Sequence, residues 1–295
     1  MIDLHRALVV STGKNAALVV LDSEHLPRVA SLRRMTGKRS MPVPGDITYV
    51  RLLEDEKVLI ERIEPRASTL ERRSFAGRTK TMAANVDAIV TVTALAEPAP
   101  RLVTLDQLLA FAELQGTQAL VIFTKPDLGD AQLREHLAAL YAALGYPTLL
   151  INPRKGEGVE ALREAIVGRH ALLCGNSGVG KSSIFRALGG EGSIAEVSRH
   201  GLGRQTTTAA RLYRMGDGFL IDSPGVNEFG LGQIAPGELT HGFREIAAAA
   251  ATCRFTDCTH LREPDCGVKA AVEQGRIAAS RYQSFRSILL DKPLA

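Results

Sequence analysis

The segment Gly175-Asn176-Ser177-Gly178-Val179-Gly180-Lys181-Ser182 follows a strand-like run, His170–Cys174, and a helix can start at Lys181. This is a G-x-x-x-x-G-K-S pattern in the strand–loop–helix setting it requires, so the chain is committed to an α/β sheet that holds a phosphate. About fifty residues earlier, Thr124-Lys125-Pro126-Asp127 closes another strand-like run and looks like the N-K-x-D element that reads a guanine base. In an ordinary GTPase domain the phosphate loop comes first. Either one match is accidental, or the domain has been cut and rejoined so that its last third precedes its first.

Each motif has a chemical reason. Gly175, Gly178 and Gly180 let backbone amides converge on phosphate oxygens across Asn176, Ser177, Val179 and Ser183. Lys181 brings charge to the β- and γ-phosphates, and the Ser182 hydroxyl suits Mg²⁺. The helix N-terminus adds partial positive charge. Some forty residues on, Asp222-Ser223-Pro224-Gly225 closes the run Phe219–Ile221. An acid there suits a water-mediated Mg²⁺ contact, and the Gly225 amide suits the γ-phosphate. Val226 stands where many signalling GTPases carry a water-orienting glutamine. Between these motifs, Gly201-Leu202-Gly203-Arg204-Gln205-Thr206-Thr207-Thr208 suits a switch that closes on Mg²⁺, with Thr207 as ligand and Thr206 as second choice.

In the base-reading segment, the Asp127 carboxylate can accept from guanine N1–H and the exocyclic amine, which adenine does not offer. Thr124 replaces the usual asparagine but keeps a hydroxyl for base or loop contacts; Lys125 follows it. The next strand ends in Ile151-Asn152-Pro153-Arg154-Lys155-Gly156-Glu157-Gly158, where a Ser-Ala-x-x-Gly-x-Gly pattern belongs. Pro153 takes the place of the residue whose amide meets guanine O6, and proline has no N–H. Guanine preference therefore rests mainly on Asp127.

The periodicity divides the chain into three. Residues 1–66 carry five short apolar runs, Ala7–Val10, Ala16–Leu21, Arg28–Leu32, Asp46–Val50 and Val58–Ile63, separated by turn residues. Five strands without a helix suit an OB-fold barrel, with an SH3-like barrel as rival. Residues 67–232 alternate strands and amphipathic helices, which predicts a mostly parallel sheet covered on both faces. Residues 233–295 are helical around a cysteine cluster; Tyr282, Phe285, Ile288 and Leu289 lie at helical spacing and predict core packing. Charge is uneven: residues 1–80 hold 15 Lys and Arg against 10 Asp and Glu, while residues 81–295 hold 21 against 22. A basic N-terminal part suits either a polyanion or a solvated face.

No apolar run approaches the ~20 residues a membrane span needs, and the first residues lack signal-peptide character. A cytoplasmic protein with no membrane contact is expected. In a reducing compartment, Cys253-x4-Cys258-x-His260-x5-Cys266 is a tetrahedral zinc set, structural because no ligand position is left open. Cys174 reads as a small buried hydrophobe.

Taken together, G-N-S-G-V-G-K-S-S, G-L-G-R-Q-T-T-T, D-S-P-G-V and C-R-F-T-D-C-T-H-L-R-E-P-D-C resemble the circularly permuted, ribosome small subunit-dependent GTPase A family over nearly the whole chain. The resemblance implies a multidomain α+β chain: an N-terminal OB-fold, a permuted P-loop GTPase domain and a C-terminal helical zinc domain. It also implies GTP hydrolysis to GDP and phosphate, stimulated by the small ribosomal subunit during its late maturation. Three departures stand out. Gln205 replaces a histidine proposed to help hydrolysis; an amide can orient water but not take its proton. Thr124 and Pro153 alter the guanine site, and the family's basic N-terminal extension is nearly absent.

The expected assignment gives Lys181 and the loop amides the phosphates, Ser182 and Thr207 the Mg²⁺, and Gln205 the water. Thr124, Lys125, Asp127, Asn152 and Pro153 surround the base. Arg28, Arg33, Arg34, Lys38 and Arg39 of the barrel are expected to meet rRNA phosphates. A monomer is expected. Two rivals stay open: a P-loop NTPase of relaxed base specificity, and an RNA-binding assembly factor with a vestigial nucleotide site.

Overall fold

The computed structural model describes residues 3–13, 15–24, 26–32, 41–53, 57–73, 79–189, 194–197, 210–215, 218–222 and 236–290. Strands β1 (His5–Thr12), β2 (Ala16–Leu21), β3 (Pro27–Leu32), β4 (Ile47–Leu52) and β5 (Val58–Ile63) close into a barrel in the order β1-β2-β3-β5-β4. Only β3 and β5 pair in parallel, the others antiparallel, which is the OB-type arrangement rather than its SH3-like rival. β1 and β2 read as unbroken apolar runs for a physical reason. Ala7, Val9, Ala17, Val19 and Leu21 fill the barrel, while Leu8, Val10, Leu18 and Val20 turn outward into the core of the next domain. With both faces buried, polar alternation disappears.

Polar groups fix the barrel's exit. Asp46 is fully buried, and Arg66 donates to its two oxygens at 2.7 and 2.8 Å. The Val43 N–H donates to the same carboxylate at 2.8 Å. A hairpin follows, β6 (Thr69–Arg73) and β7 (Thr79–Ala84). At Gly45 (φ +89°), a Cβ would fall 1.9 Å from the Ala84 carbonyl oxygen, so barrel and hairpin meet backbone to backbone.

Among the described residues, β8 (Ala88–Ala94), β9 (Gln118–Thr124), β10 (Thr148–Ile151), β11 (His170–Cys174), β12 (Ile194–Val197), β13 (Ala210–Met215) and β14 (Gly218–Asp222) form one sheet. Its order is β10-β9-β8-β11-β14-β13-β12. The first five strands are parallel; β13 and β12 complete the sheet antiparallel. Helices α1 (Leu102–Leu114) and α2 (Ala131–Ala143) cover one face, and α3 (Val159–Ile166) and α4 (Lys181–Leu188) the other. The period of two along β9 sorts its side chains. Ala119, Val121 and Phe123 join Leu109, Leu137 and Tyr141, whereas Leu120 and Ile122 join Leu162, Ile184 and Phe185.

Helices α5 (Pro236–His241), α6 (Arg244–Ala250), α7 (Gly267–Glu273) and α8 (Ala279–Leu290) make up the C-terminal part. The stripe Tyr282, Phe285, Ile288 and Leu289 packs as expected, into the same apolar cluster as Leu105, Leu108 and Leu109 of α1. At Gly242 the chain passes so close to α1 that a Cβ would lie 2.9 Å from the Ala110 Cβ. Inside this interface sits a charged group the sequence does not announce. Arg281, fully buried, donates to Asp106 Oδ1 at 2.5 Å and to Glu245 Oε1 at 2.7 Å. The Tyr141 hydroxyl donates to Asp106 Oδ1 at 2.7 Å. Burial pushes the Asp106 carboxyl above its ordinary value, against the pull of Arg281.

Candidate functional site

The C-terminal ends of the parallel strands gather the motifs at one edge of the sheet. Ala94 and Ile151 both pair with Thr124, Thr91 pairs with Cys174, and β14 ends at Asp222 beside β11. Ligands of open parallel sheets bind at this edge, where the loops diverge.

The phosphate loop leaves β11 sharply. Gly175 (φ +154°) passes so close to β8 that a Cβ would sit 2.3 Å from the Val92 carbonyl oxygen, and Gly178 and Gly180 adopt φ of +80° and +100°. These turns require glycine. Gly180 is the N-cap of α4, so the helix N-terminus faces the loop. Lys181 Nζ donates to the Gly175 and Asn176 carbonyls at 2.6 and 2.8 Å, which holds the ammonium folded over its own loop. Ser177 and Gly178 are exposed, Asn176, Ser182 and Ser183 half-buried, and Val179 buried. Asn176 Nδ2 donates to Thr104 Oγ1 at 3.5 Å, which links the loop to the first turn of α1. Asp222 is 5% exposed. Burial pushes the Cys174 thiol up; the Asp222 charge raises it further and the Lys181 charge lowers it. Cys174 is a buried hydrophobe, as read from the sequence.

The segment Thr124-Lys125-Pro126-Asp127 is joined to this loop directly. Thr124 is fully buried, and its hydroxyl donates to the Val179 carbonyl at 2.5 Å. The hydroxyl thus makes a loop contact. Lys125 has φ +56°, and its ammonium donates to the Glu97 carbonyl. The Asp127 side chain is 39% exposed with Lys155 Nζ at 3.6 Å. Its own backbone N–H, then the Asn152 amide and the Lys155 charge, hold its carboxyl below the usual range. Asn152 is buried and closes a tight turn, its carbonyl accepting from the Lys155 and Glu157 amides. Pro153 stands at the half-buried start of that turn. Gln205, Thr206, Thr207 and Gly225, with Arg33, Arg34, Lys38 and Arg39, lie outside the described residues. Arg28 is paired with Glu24 at 2.7 Å.

In the C-terminal part, the ligand atoms of Cys253, Cys258, His260 and Cys266 all lie within 4.8 Å of one another. Cys253 Sγ is 3.8 Å from Cys266 Sγ, and His260 Nδ1 is 3.5 and 3.6 Å from those two sulfurs. A tetrahedron with ordinary zinc–sulfur and zinc–nitrogen bonds has edges of about 3.8 and 3.5 Å. The four residues therefore fit a metal ion, with Nδ1 as the imidazole ligand, a choice the sequence spacing does not reveal. Burial lowers the His260 pKa and favours the neutral ring. The Glu263 carboxylate staples the intervening turn. It accepts from the Thr259 hydroxyl at 2.5 Å and from the Thr259, Leu261 and Arg262 amides at 3.1 Å. These donors, the Thr259 hydroxyl foremost, bring its pKa down to about 2.

A parallel sheet whose base-reading strand ends precede its phosphate loop in the chain defines a circularly permuted P-loop protein of the GTPase type. The family model described as RsgA GTPase matches residues 63–232. The chain belongs to the RsgA GTPase family. It is 43% identical over 239 residues to the small ribosomal subunit biogenesis GTPase RsgA of Pseudomonas fluorescens SBW25, covering 78% of this chain and 68% of that one. The protein of the same name from Yersinia enterocolitica is 40% identical over 304 residues, covering 97% and 85%. Among solved structures, YjeQ from Thermotoga maritima superposes with a TM-score of 0.71 at 30% identity, covering 98% of this chain and all of that one. YloQ, described as a circularly permuted GTPase, shares the fold at 23% identity and a TM-score of 0.66, covering 97% and 94%.

Proposed function

We propose that this chain is a Mg²⁺-dependent GTPase that acts in the biogenesis of the small ribosomal subunit, as the names of its relatives state for them. The observation that carries the reading is the bond from Thr124 to Val179, which joins a guanine-type reading element to a phosphate loop within one site. Lys181 and the loop amides hold the phosphates, and Asp127 accepts from the guanine edge with Lys125, Asn152 and Pro153 around it. Ser182 and Thr207, with Thr206 as second choice, hold Mg²⁺, which neutralises charge developing on the phosphates. Asp222 acts through a metal-bound water, Gly225 offers its amide to the γ-phosphate, and Gln205 orients the attacking water. Cys253, Cys258, His260 and Cys266 hold structural zinc. The barrel and the zinc module meet rRNA, and the chain works as a cytoplasmic monomer. Among the described residues, no helix is long and apolar enough to cross a membrane.

Turnover of GTP measured with and without small ribosomal subunits tests this directly. Stimulation of about tenfold or more is expected, and Gln205→Ala is expected to remove most of it while leaving GTP affinity unchanged. Equal competition by ATP and GTP would instead favour the relaxed NTPase. Nucleotide binding without any turnover, subunits present, would favour the vestigial site.

Thr124→Val gives a second expectation. It leaves the buried Val179 carbonyl unpaired, at about 1–3 kcal/mol, and releases the base-reading loop from the phosphate loop. GDP affinity measured by fluorescence titration is expected to fall about tenfold, with Thr124→Ser retaining it. An unchanged affinity in Thr124→Val removes the hydroxyl from the account.

A further inference from the structure

We infer that the phosphate loop and the Cys₃His centre are thermodynamically linked through α1 and α8, with Arg281 as the positioning residue that joins them. The chain of bonds and packing runs without a gap. Asn176 in the phosphate loop meets Thr104 on the first turn of α1 at 3.5 Å. Two residues on, Asp106 is held by Arg281 of α8 at 2.5 Å, and Glu245 of α6 holds the same guanidinium at 2.7 Å. The next residue of α8, Tyr282, donates its hydroxyl to the His260 carbonyl at 2.6 Å. Phe285, one turn further, packs its ring against the His260 imidazole with centroids 6.0 Å apart. Cys258 and Cys266 belong to the same apolar cluster as Leu105 and Leu109 of α1.

Such an assembly does not deform locally. Arg281 and Asp106 are fully buried, and a buried pair resists separation because each would lose an opposite charge with no solvent to replace it. Packed helices shift as units rather than residue by residue. Any change in α1 that accompanies filling of the phosphate loop is therefore felt by the backbone that carries His260. Linkage is reciprocal: if nucleotide binding tightens the metal centre, the metal tightens nucleotide binding by the same factor. The middle members of this route, Thr104, Asp106, Arg281 and Tyr282, belong to neither proposed ligand set.

The inference rests on the nucleotide and zinc readings above, and its test separates their failure from its own. The full-length, zinc-loaded protein is mixed with a chromogenic chelator, and the rate of zinc release is followed with and without saturating GDP. Zinc content and GDP affinity are measured separately on the same sample. GDP is expected to slow zinc release by about fivefold or more, and zinc removal to weaken GDP binding. Arg281→Met is expected to bring the ratio of release rates to below about twofold, even if both ligands still bind. If Arg281→Met does not fold, Tyr282→Phe decides the matter, since it removes only the hydroxyl bonded to His260; the ratio is expected to fall there too. Absent zinc or absent GDP binding in the wild type overturns the corresponding site reading and the linkage with it. Both ligands bound with a ratio near one overturns the linkage alone. So does a wild-type ratio that persists unchanged in the decisive variant.

Discussion

Lys181→Ala is expected to lower GTP turnover by about two to three orders of magnitude, the cost of removing one preorganised donor from a charge-developing site. The structure gives the reason for so large an effect. The ammonium is fixed by the Gly175 and Asn176 carbonyls at 2.6 and 2.8 Å, so little reorganisation separates this position from a phosphate in the loop. Lys181→Arg is a demanding control. The planar fork keeps the charge, but it is too broad to share the two carbonyls of a tight loop, so it is expected to rescue little. Turnover is to be read at saturating GTP and Mg²⁺, with thermal melting as a check on folding. Full activity in Lys181→Ala would remove the loop lysine from the reaction.

Arg281→Ala is expected to destabilise the protein by about 3–5 kcal/mol, because it leaves the buried Asp106 and the half-buried Glu245 without their cation. The guanidinium carbon also lies 4.5 Å from the centroid of the Phe243 ring, and the substitution removes that cation–π attraction as well. For a chain of this size the change corresponds to a melting point roughly 10 °C lower. The triple change Arg281→Met, Asp106→Leu, Glu245→Met is expected to recover most of the stability, since an apolar set of similar volume has no unpaired charge to bury. Urea unfolding monitored at two wavelengths measures both. A decrease below about 1 kcal/mol in Arg281→Ala would mean that water reaches the site and the charges are screened.

How much of this is legible in the sequence depends on what each residue's neighbours reveal. The parallel strands announce themselves, since a strand covered on both faces, such as Ala88–Ala94, is buried at every position. Barrel strands β1 and β2 are legible for the same reason, whereas β4 and β5 bury alternate residues. The hairpin at Thr69–Arg73 and Thr79–Ala84 is not: Glu71, Arg72, Arg73, Thr79 and Lys80 carry no alternation to read. Strands β12 and β13 also escape the sequence pattern, although β13 pairs with β14 and β12 with β13 to complete the sheet. The cysteine cluster is readable because soft ligands close together in sequence have few other uses. Arg281 is not, because an arginine beside an apolar helical stripe reads as solvated until the partner from α1, 175 residues away, is seen. Thr124 falls between: its position is legible, but the acceptor of its hydroxyl lies 55 residues on.

The place of β8 in the middle of the sheet bears on how the polypeptide is assembled. β8 pairs with β9, some thirty residues later, and with β11, whose Ala171 lies opposite Ala88. As the chain leaves the ribosome that makes it, β8, β9 and β10 emerge together and can pair locally, with α1 and α2 ready to cover one face. The phosphate loop joins them only after a closure of some eighty residues, an interval over which the entropic cost grows slowly but the search is long. A nascent chain thus presents the strand ends that carry Thr124 and Ile151 before the glycine loop after β11 exists, in the reverse of the order that an uncut domain would follow.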